Sequence, residues 1–427
     1  MPLFIVIATI VGIICSVLFF PTIKIKNIKI SSYWPIALIG AILLLITGGV
    51  PFSEVINSFT QNTSMNPLKI LILFICMTIL SIFLDEVGFF KYIATKSTKL
   101  LNGNQFKLFI GIYLLVSTLT IFTSNDIIIL TFTPFICYYA KESKINPIPY
   151  LFAEFVAANT WSMTLIIGNP TNIYLASSFN IDFIEYLKVM FLPTLVASIV
   201  SLGILILLFN KELKKQMDTT KSSEEIKLNK ILLIIGLVHL VSATILIAIS
   251  SYINIEMWIV TLIFALSLFI TTTIYLLISN NNFDIIKRTL SRAPYTLIPF
   301  VLSMFVIVLT VNNLGITAKI SDFLNSLSPV FSYGIGGTIF ANLINNIPMS
   351  VLFSNMSFTS SASIYASIIA SNIAAYITPI GALAGIMWMS LLKTYDVKFS
   401  FKNFVKDGII IGIPTLLFAL LTLSLII

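Results

Sequence analysis

The chain has 427 residues, of which 58% are hydrophobic and only 10% charged, and its mean hydropathy is +1.02. Soluble domains carry roughly 25% charged residues, so this composition excludes a soluble globular domain. A net charge of +8 would suggest nucleic acid in a soluble protein. Here the basic residues sit between apolar runs, where the positive-inside rule accounts for them.

The apolar runs at 3–20, 35–50, 68–84, 188–209, 230–250, 257–278 and 408–427 are each near the length a helix needs to cross a bilayer. So many runs cannot be one cleaved signal peptide, and the first has no basic region before it. Cys15, Cys76 and Cys137 are scattered through apolar runs with no metal-ligand or disulfide spacing. They read as small buried hydrophobes.

Taking the first span as entering the cytoplasm, 21–32 (Lys24, Lys26, Lys29) falls inside and 51–67, with Glu54 and no basic residue, outside. Residues 85–107 return inside with Lys91, Lys96, Lys99 and Lys107, and Asp85 and Glu86 are expected to cap or to pair with loop lysines. The apolar stretch 106–140 is interrupted by Thr123-Ser124-Asn125-Asp126. A polar knot at membrane depth is tolerated only inside protein or beside a water-filled cavity, so this stretch is predicted to be a re-entrant hairpin. A fourth span (148–176) leads out to Asp182 and Glu185, and a fifth returns to the lysine-rich 210–230.

The second half repeats this order with the opposite orientation. Spans six and seven lead to Lys287, Arg288 and Arg292, and span eight (294–311) leads out. A second hairpin (329–358) breaks at Asn342-Leu343-Ile344-Asn345-Asn346-Ile347-Pro348, and span nine (363–390) returns to Lys393, Lys398, Lys402 and Lys406 before span ten exits. Of the 25 basic residues, all but Lys69, Lys188 and Lys319 then lie at the cytoplasmic side, and both termini lie outside.

The fold expected is therefore an all-α polytopic membrane protein of about ten transmembrane helices plus two re-entrant hairpins. It is arranged as two inverted-topology repeats, 1–209 and 230–427, joined by a cytoplasmic linker at 210–229. Inverted repeats are the common plan of secondary transporters. Asn159 precedes Gly168 by nine residues, as Asn372 precedes Gly381, and each glycine neighbours a proline (Pro170, Pro379). Proline removes a donor and glycine permits unusual backbone, so spans four and nine are predicted to unwind near mid-membrane.

These four breaks gather the candidate substrate- and ion-binding groups: Ser124, Asn125 and Asp126; Asn159, Thr160, Asn169, Thr171 and Asn172; Asn345 and Asn346; Asn372, Thr378 and Gly381. They offer amides, hydroxyls and the partial charges of half-helix ends, but no fixed positive charge. The same asparagines could instead cap the broken helices and hold the bundle together. Asp126 and Glu154 are the two acids within the membrane, where an ionisable group is costly and a functional candidate. Asp126 leads as the proton-coupling group, with Glu154 second. His239, the single histidine, lies in unbroken span six and reads as a packing residue.

The stretches LDEVGFFKYIATKSTKLLNGN (84–104), FTSNDIIILTFTPFI (122–136), AANTWSMTLIIGNPTNIYLASSFNIDFIEYLKVMFLP (157–193), VLSMFVIVLTVNNLGIT (301–317), NLINNIP (342–348) and ITPIGALAGIMWMSLLK (377–393) resemble the arsenite permease family of the wider ion-transporter superfamily. The resemblance implies arsenite or antimonite efflux in exchange for protons, from a central site framed by two hairpins and two broken helices. It departs from the family at Gly168-Asn169-Pro170, where Ser-Asn-Leu is usual, and at Ala382, where Ser is usual. The tips Ser124-Asn125-Asp126 and Asn345-Asn346-Ile347 differ from the Ser-Asn-Thr typical of the dicarboxylate branch.

The partners expected are a small inorganic or organic solute, protons and the lipid bilayer of the cell membrane, with a homodimer and a cytoplasmic ATPase subunit left open. A sodium-coupled carrier, for sodium/proton exchange or an organic anion, is the alternative. No cofactor, metal or nucleic acid is expected. The chain has no His-Glu-x-x-His, no Gly-x-Gly-Asp and no Gly-x-x-x-x-Gly-Lys, which argues against a membrane-embedded enzyme and means that any ATP use would need another chain.

Overall fold

A computed structural model of the chain describes every residue except 21, 26–27, 64–65, 102, 218–227 and 251. Lys26 and half of the expected linker at 210–229 (residues 218–227) lie outside the described residues. Among the described residues the fold is helical, apart from one short antiparallel strand pair, β1 (Thr22–Ile25) and β2 (Ile28–Ser31), where the sequence reading expected only a loop.

The first half runs α1 (Pro2–Phe19), α2 (Tyr33–Ile46), α3 (Phe52–Thr60), α4 (Pro67–Val87), α5 (Phe89–Leu101), α6 (Gln105–Ile121), α7 (Asn125–Glu142), α8 (Ile148–Trp161), α9 (Pro170–Ser178) and α10 (Phe183–Leu213). The second runs α11 (Lys230–Ile249), α12 (Met257–Ile278), α13 (Asp284–Arg292), α14 (Leu297–Asn313), α15 (Ile316–Asn325), α16 (Pro329–Ile344), α17 (Asn346–Ser354), α18 (Ser361–Ile373), α19 (Leu383–Thr394) and α20 (Phe401–Ile426).

The short helices α3, α5, α13 and α15 stand where the sequence reading placed loops or loop edges. Each has an apolar and a polar face, as a helix lying along an interface requires. Among the described residues, six runs are long and apolar enough to cross a membrane: Pro67–Val87, Phe183–Leu213, Lys230–Ile249, Met257–Ile278, Asp284–Asn313 and Phe401–Ile426.

Helix starts follow local chemistry. Asn66-Pro67 opens α4 and Asn169-Pro170 opens α9. In each, the Asn side chain accepts from a first-turn backbone N–H, and the proline occupies a position that needs no donor. Ser124 caps α7 and Asn345 caps α17 in the same way. Gly88 closes α4 in the left-handed conformation at φ 92°.

Helices α10 and α20 pack against each other, with α8 on α10 and α18 on α20; α6 lies on α8 and α16 on α18. A second layer pairs α2 with α14 and α4 with α12, and α1 and α11 lie outside these. The tips cross between halves, α7 meeting α19 and α17 meeting α9. Large apolar side chains stand exposed along α10 (Ile199, Leu207), α11 (Ile234, Val238, Val241, Ile245) and α12 (Ile263, Ile270). A continuous apolar surface of this kind belongs in lipid.

Candidate functional site

Both predicted unwindings are present. Helix α8 stops at Trp161, a 3-10 turn covers Ile166–Gly168, and α9 starts at Pro170. Helix α18 stops at Ile373, two 3-10 turns follow, and α19 starts at Leu383. The chain folds back so tightly at each break that only glycine fits. A Cβ at Gly168 would lie 2.2 Å from the Ser162 carbonyl oxygen, and one at Gly381 the same distance from that of Ala374.

The breaks meet at Asn372. Its Oδ1 accepts from Ser162 Oγ (2.9 Å) and Asn169 Nδ2 (3.0 Å), and its Nδ2 donates to Asn172 Oδ1 (2.7 Å) and to the Ile368 carbonyl (2.9 Å). Asn172 Nδ2 donates in turn to the carbonyls of Ser162 (2.8 Å) and Leu165 (3.2 Å) across the opened turn. Thr171 Oγ1 bonds Asn169 Oδ1 and Ser371 Oγ, both at 3.0 Å. Asn159, Asn172 and Asn372 are wholly buried, and buried amides need every one of these partners.

The tips dock onto this core. Asn125 Nδ2 donates to Asn159 Oδ1 at 2.9 Å, and Asn159 Nδ2 to the Phe155 carbonyl at 2.8 Å. Asn346 Nδ2 reaches the Ser371 carbonyl at 3.3 Å, and Asn345 Nδ2 the Ile380 carbonyl at 2.9 Å. Asn345 sits at φ 77°, ψ 154°, a region occupied almost only by glycine. The two halves thus differ in backbone strain: only the second tip carries it. Thr378 Oγ1 donates to Asn342 Oδ1 at 2.7 Å, and Thr160 Oγ1 to Tyr376 Oη at 3.4 Å.

The candidate acids are separated from this network. Asp126 follows the cap of α7, is half-buried, and faces a cavity of about 350 Å3 shared with Tyr33, Thr78, Arg292, Thr296 and Ser390. Its carboxylate makes no hydrogen bond or ion pair among the described residues. Arg292 at the same cavity is engaged by Asp85 (2.7 Å) and by Glu86, which also binds Arg288 (2.7 Å). The expected pairing of Asp85 and Glu86 with loop lysines is therefore corrected to arginines of α13, which packs directly on α4. Glu154 is fully buried, lines none of the cavities described here, and receives the Thr133 hydroxyl at 3.0 Å on each oxygen.

At the other end of α4, Lys69 pairs with Glu256 beside a second cavity of about 360 Å3. Partial burial raises the Glu256 carboxyl, but hydrogen bonds from Lys69 and Trp258 outweigh it and hold the group below the ordinary range. His239 bonds the Ile235 carbonyl and Ser267 between α11 and α12, in keeping with a packing residue.

The sequence reading missed Ser162, Ser371 and Tyr376, which complete the central network, and the cavity wall formed by Tyr33, Thr78 and Thr296. Ser371 had a signal, since it adjoins Asn372; the wall residues come from distant helices and had none.

An apolar outer surface and interrupted helices around a buried, uncharged hydrogen-bonded core are the marks of a multi-pass membrane transporter. The chain resembles in fold the crystal structure of the Alcanivorax borkumensis YdaH transporter, with a TM-score of 0.53 at 14% identity, covering 100% of this chain and 97% of that one. The citrate transporter family model (CitMHS) matches residues 29–368, and the chain belongs to that family. It is 28% identical over 408 residues to the arsenical pump membrane protein of Escherichia coli strain K12, covering 91% of this chain and 92% of that protein. It is 26% identical over 420 residues to the putative arsenical pump membrane protein of Bacillus subtilis strain 168, covering 90% and 92%. Its relatives are membrane transporters of small solutes, and so is this chain; it is not an enzyme.

Proposed function

We propose that the chain exports arsenite, antimonite or a similar small hydroxylated solute in exchange for protons, with Asp126 as the coupling group. The carrying observation is the charge of the Asp126 cavity. Among the described residues its one carboxylate is unpaired, while its one arginine, Arg292, is already engaged by Asp85 and Glu86. A polyanion entering there would meet no free cation among the described residues. A neutral hydroxylated solute such as arsenous acid needs only hydroxyl partners, which Tyr33, Thr78, Thr296 and Ser390 bring to that cavity. An unpaired carboxylate in a cavity can take up and release a proton without breaking an ion pair, as coupling requires. The arsenical pump relatives support the same substrate class.

Two inverted repeats, 1–209 and 230–427, with re-entrant hairpins at α6–α7 and α16–α17, are supported by the matching order of elements from α1–α10 to α11–α20. Positive-inside counting supports the Arg292 end as cytoplasmic, both termini as external and the cell membrane as the location.

The second reading is a sodium-coupled carrier of an organic anion, favoured by the family description as citrate transporter. The two are separated in a host lacking its own metalloid exporters. Arsenite resistance, with uptake into everted vesicles driven by a pH gradient, is expected. Sodium-driven citrate uptake with no arsenite phenotype would overturn the first reading in favour of the second.

A further inference from the structure

Helix α4 carries Ile70, Phe74, Thr78 and Ile82 at successive four-residue steps, which places them on one face. This face borders three cavities in order. Ile70 lines both the cavity of about 360 Å3 beside Lys69 and Glu256 and a narrow one of about 20 Å3. Phe74 lines the narrow one and also the cavity of about 350 Å3 beside Asp126, whose wall continues through Thr78 and Ile82. The narrow cavity has space for about one water. Phe74 from α4 and Leu297 from α14 bound it, together with Thr171 at the start of α9 and Ile347 at the start of α17.

We infer that this face of α4 is the wall of the translocation route, and that Phe74 with Leu297 forms the constriction that keeps the two vestibules from joining. An exchanger that lets both sides open at once dissipates its gradient, so such a seal is a requirement of coupled transport. The seal sits where it can sense the site. Thr171, one side of the constriction, is bonded to Asn169 and Ser371, and through Asn169 to Asn372. Phe74 and Leu297 are both buried, and neither carries a group that could hold a solute, so excluding water and ions is the role their chemistry permits. The inference rests on the chain being a transporter and not on its substrate.

Two measurements test it without reference to the solute. Single cysteines are placed along α4 in a protein whose Cys15, Cys76 and Cys137 are replaced by serine or alanine. A membrane-impermeant thiol reagent is then applied to both faces of the membrane. Thr78→Cys and Ile82→Cys are expected to react, and Leu80→Cys and Phe83→Cys, on the opposite face, to stay unreacted. Met387→Cys, across the Asp126 cavity, serves if the α4 variants fold poorly. Reaction on the Leu80 and Phe83 face, or none at Thr78, Ile82 and Met387, would overturn the wall assignment.

In proteoliposomes given a pH gradient and no solute, the parent protein is expected to hold the gradient. Phe74→Ala and Leu297→Ala are expected to dissipate it faster, and Phe74→Leu to restore tightness. Gradients held equally well by both alanine variants would overturn the constriction. Neither result bears on arsenite or proton coupling, so failure here leaves the proposed function standing.

Discussion

Asn372 donates its side-chain amide to Asn172 Oδ1 across 2.7 Å, tying two helix breaks that lie 200 residues apart. This bond makes the breaks one structural unit. Its donor and acceptor are both fully buried, so neither can fall back on water if the other is lost.

Replacing Asn372 with alanine strands Asn169 Nδ2 and Asn172 Oδ1 together, while Ser162 keeps the Asn159 carbonyl. Each unsatisfied buried polar group costs roughly 1–3 kcal/mol. Asn372→Ala is therefore expected to lower the melting temperature of purified protein and to abolish transport. An unchanged melting temperature would remove the hub role.

The glycines at the two breaks give a sharper contrast. Gly168→Ala and Gly381→Ala each drive a Cβ into a backbone carbonyl, whereas a Cβ at Gly203 in α10 meets nothing within 4 Å. The first two substitutions should reduce folded yield severely and Gly203→Ala should leave it unchanged, read by size-exclusion chromatography of detergent-solubilised protein.

Much of this core was legible in the sequence for a physical reason. Breaking a membrane helix needs residues that give up backbone bonds, and Gly168-Asn169-Pro170 and Pro379-Ile380-Gly381 can scarcely do anything else. The lysine distribution likewise set the expected orientation. Helices α3, α5, α13 and α15 were not legible, because short amphipathic segments read as polar loops. The side-chain direction of Asp126 was also hidden. Its neighbour Asn125 turns into the asparagine network while Asp126 turns to the cavity, and one residue of helix separates the two outcomes. The neutralisation of Arg292 required knowing that α13 folds onto α4.

Glu154 is the second acid proposed for coupling, and its surroundings differ from those of Asp126. It lines none of the cavities beside α4, and the single Thr133 hydroxyl hydrogen is shared between its two oxygens. Glu154→Gln should retain pH-driven transport, and Thr133→Val should destabilise the protein by about 1–3 kcal/mol through the partner it strands. Loss of coupling in a folded Glu154→Gln protein would move the proton to this residue.

The Lys69–Glu256 pair predicts a modest pH dependence. Its carboxyl is held below the usual 4.5, so its contribution is present above that pH and is lost as pH falls through the lowered value. Glu256 is 45% exposed, which keeps the contribution within about 1 kcal/mol. The stability difference between the parent and Glu256→Gln should shrink on acidification below pH 4.5, as measured by thermal unfolding. A difference that stays constant there would argue against the pair.

The central claim is that Asp126 couples transport to protons, and arsenite uptake into everted vesicles under an imposed pH gradient tests it most directly. The parent protein should accumulate arsenite in proportion to the gradient, while Asp126→Asn, folded and still exchanging arsenite across the membrane, should no longer respond to it. Gradient-driven accumulation by Asp126→Asn at the parent level would contradict the account.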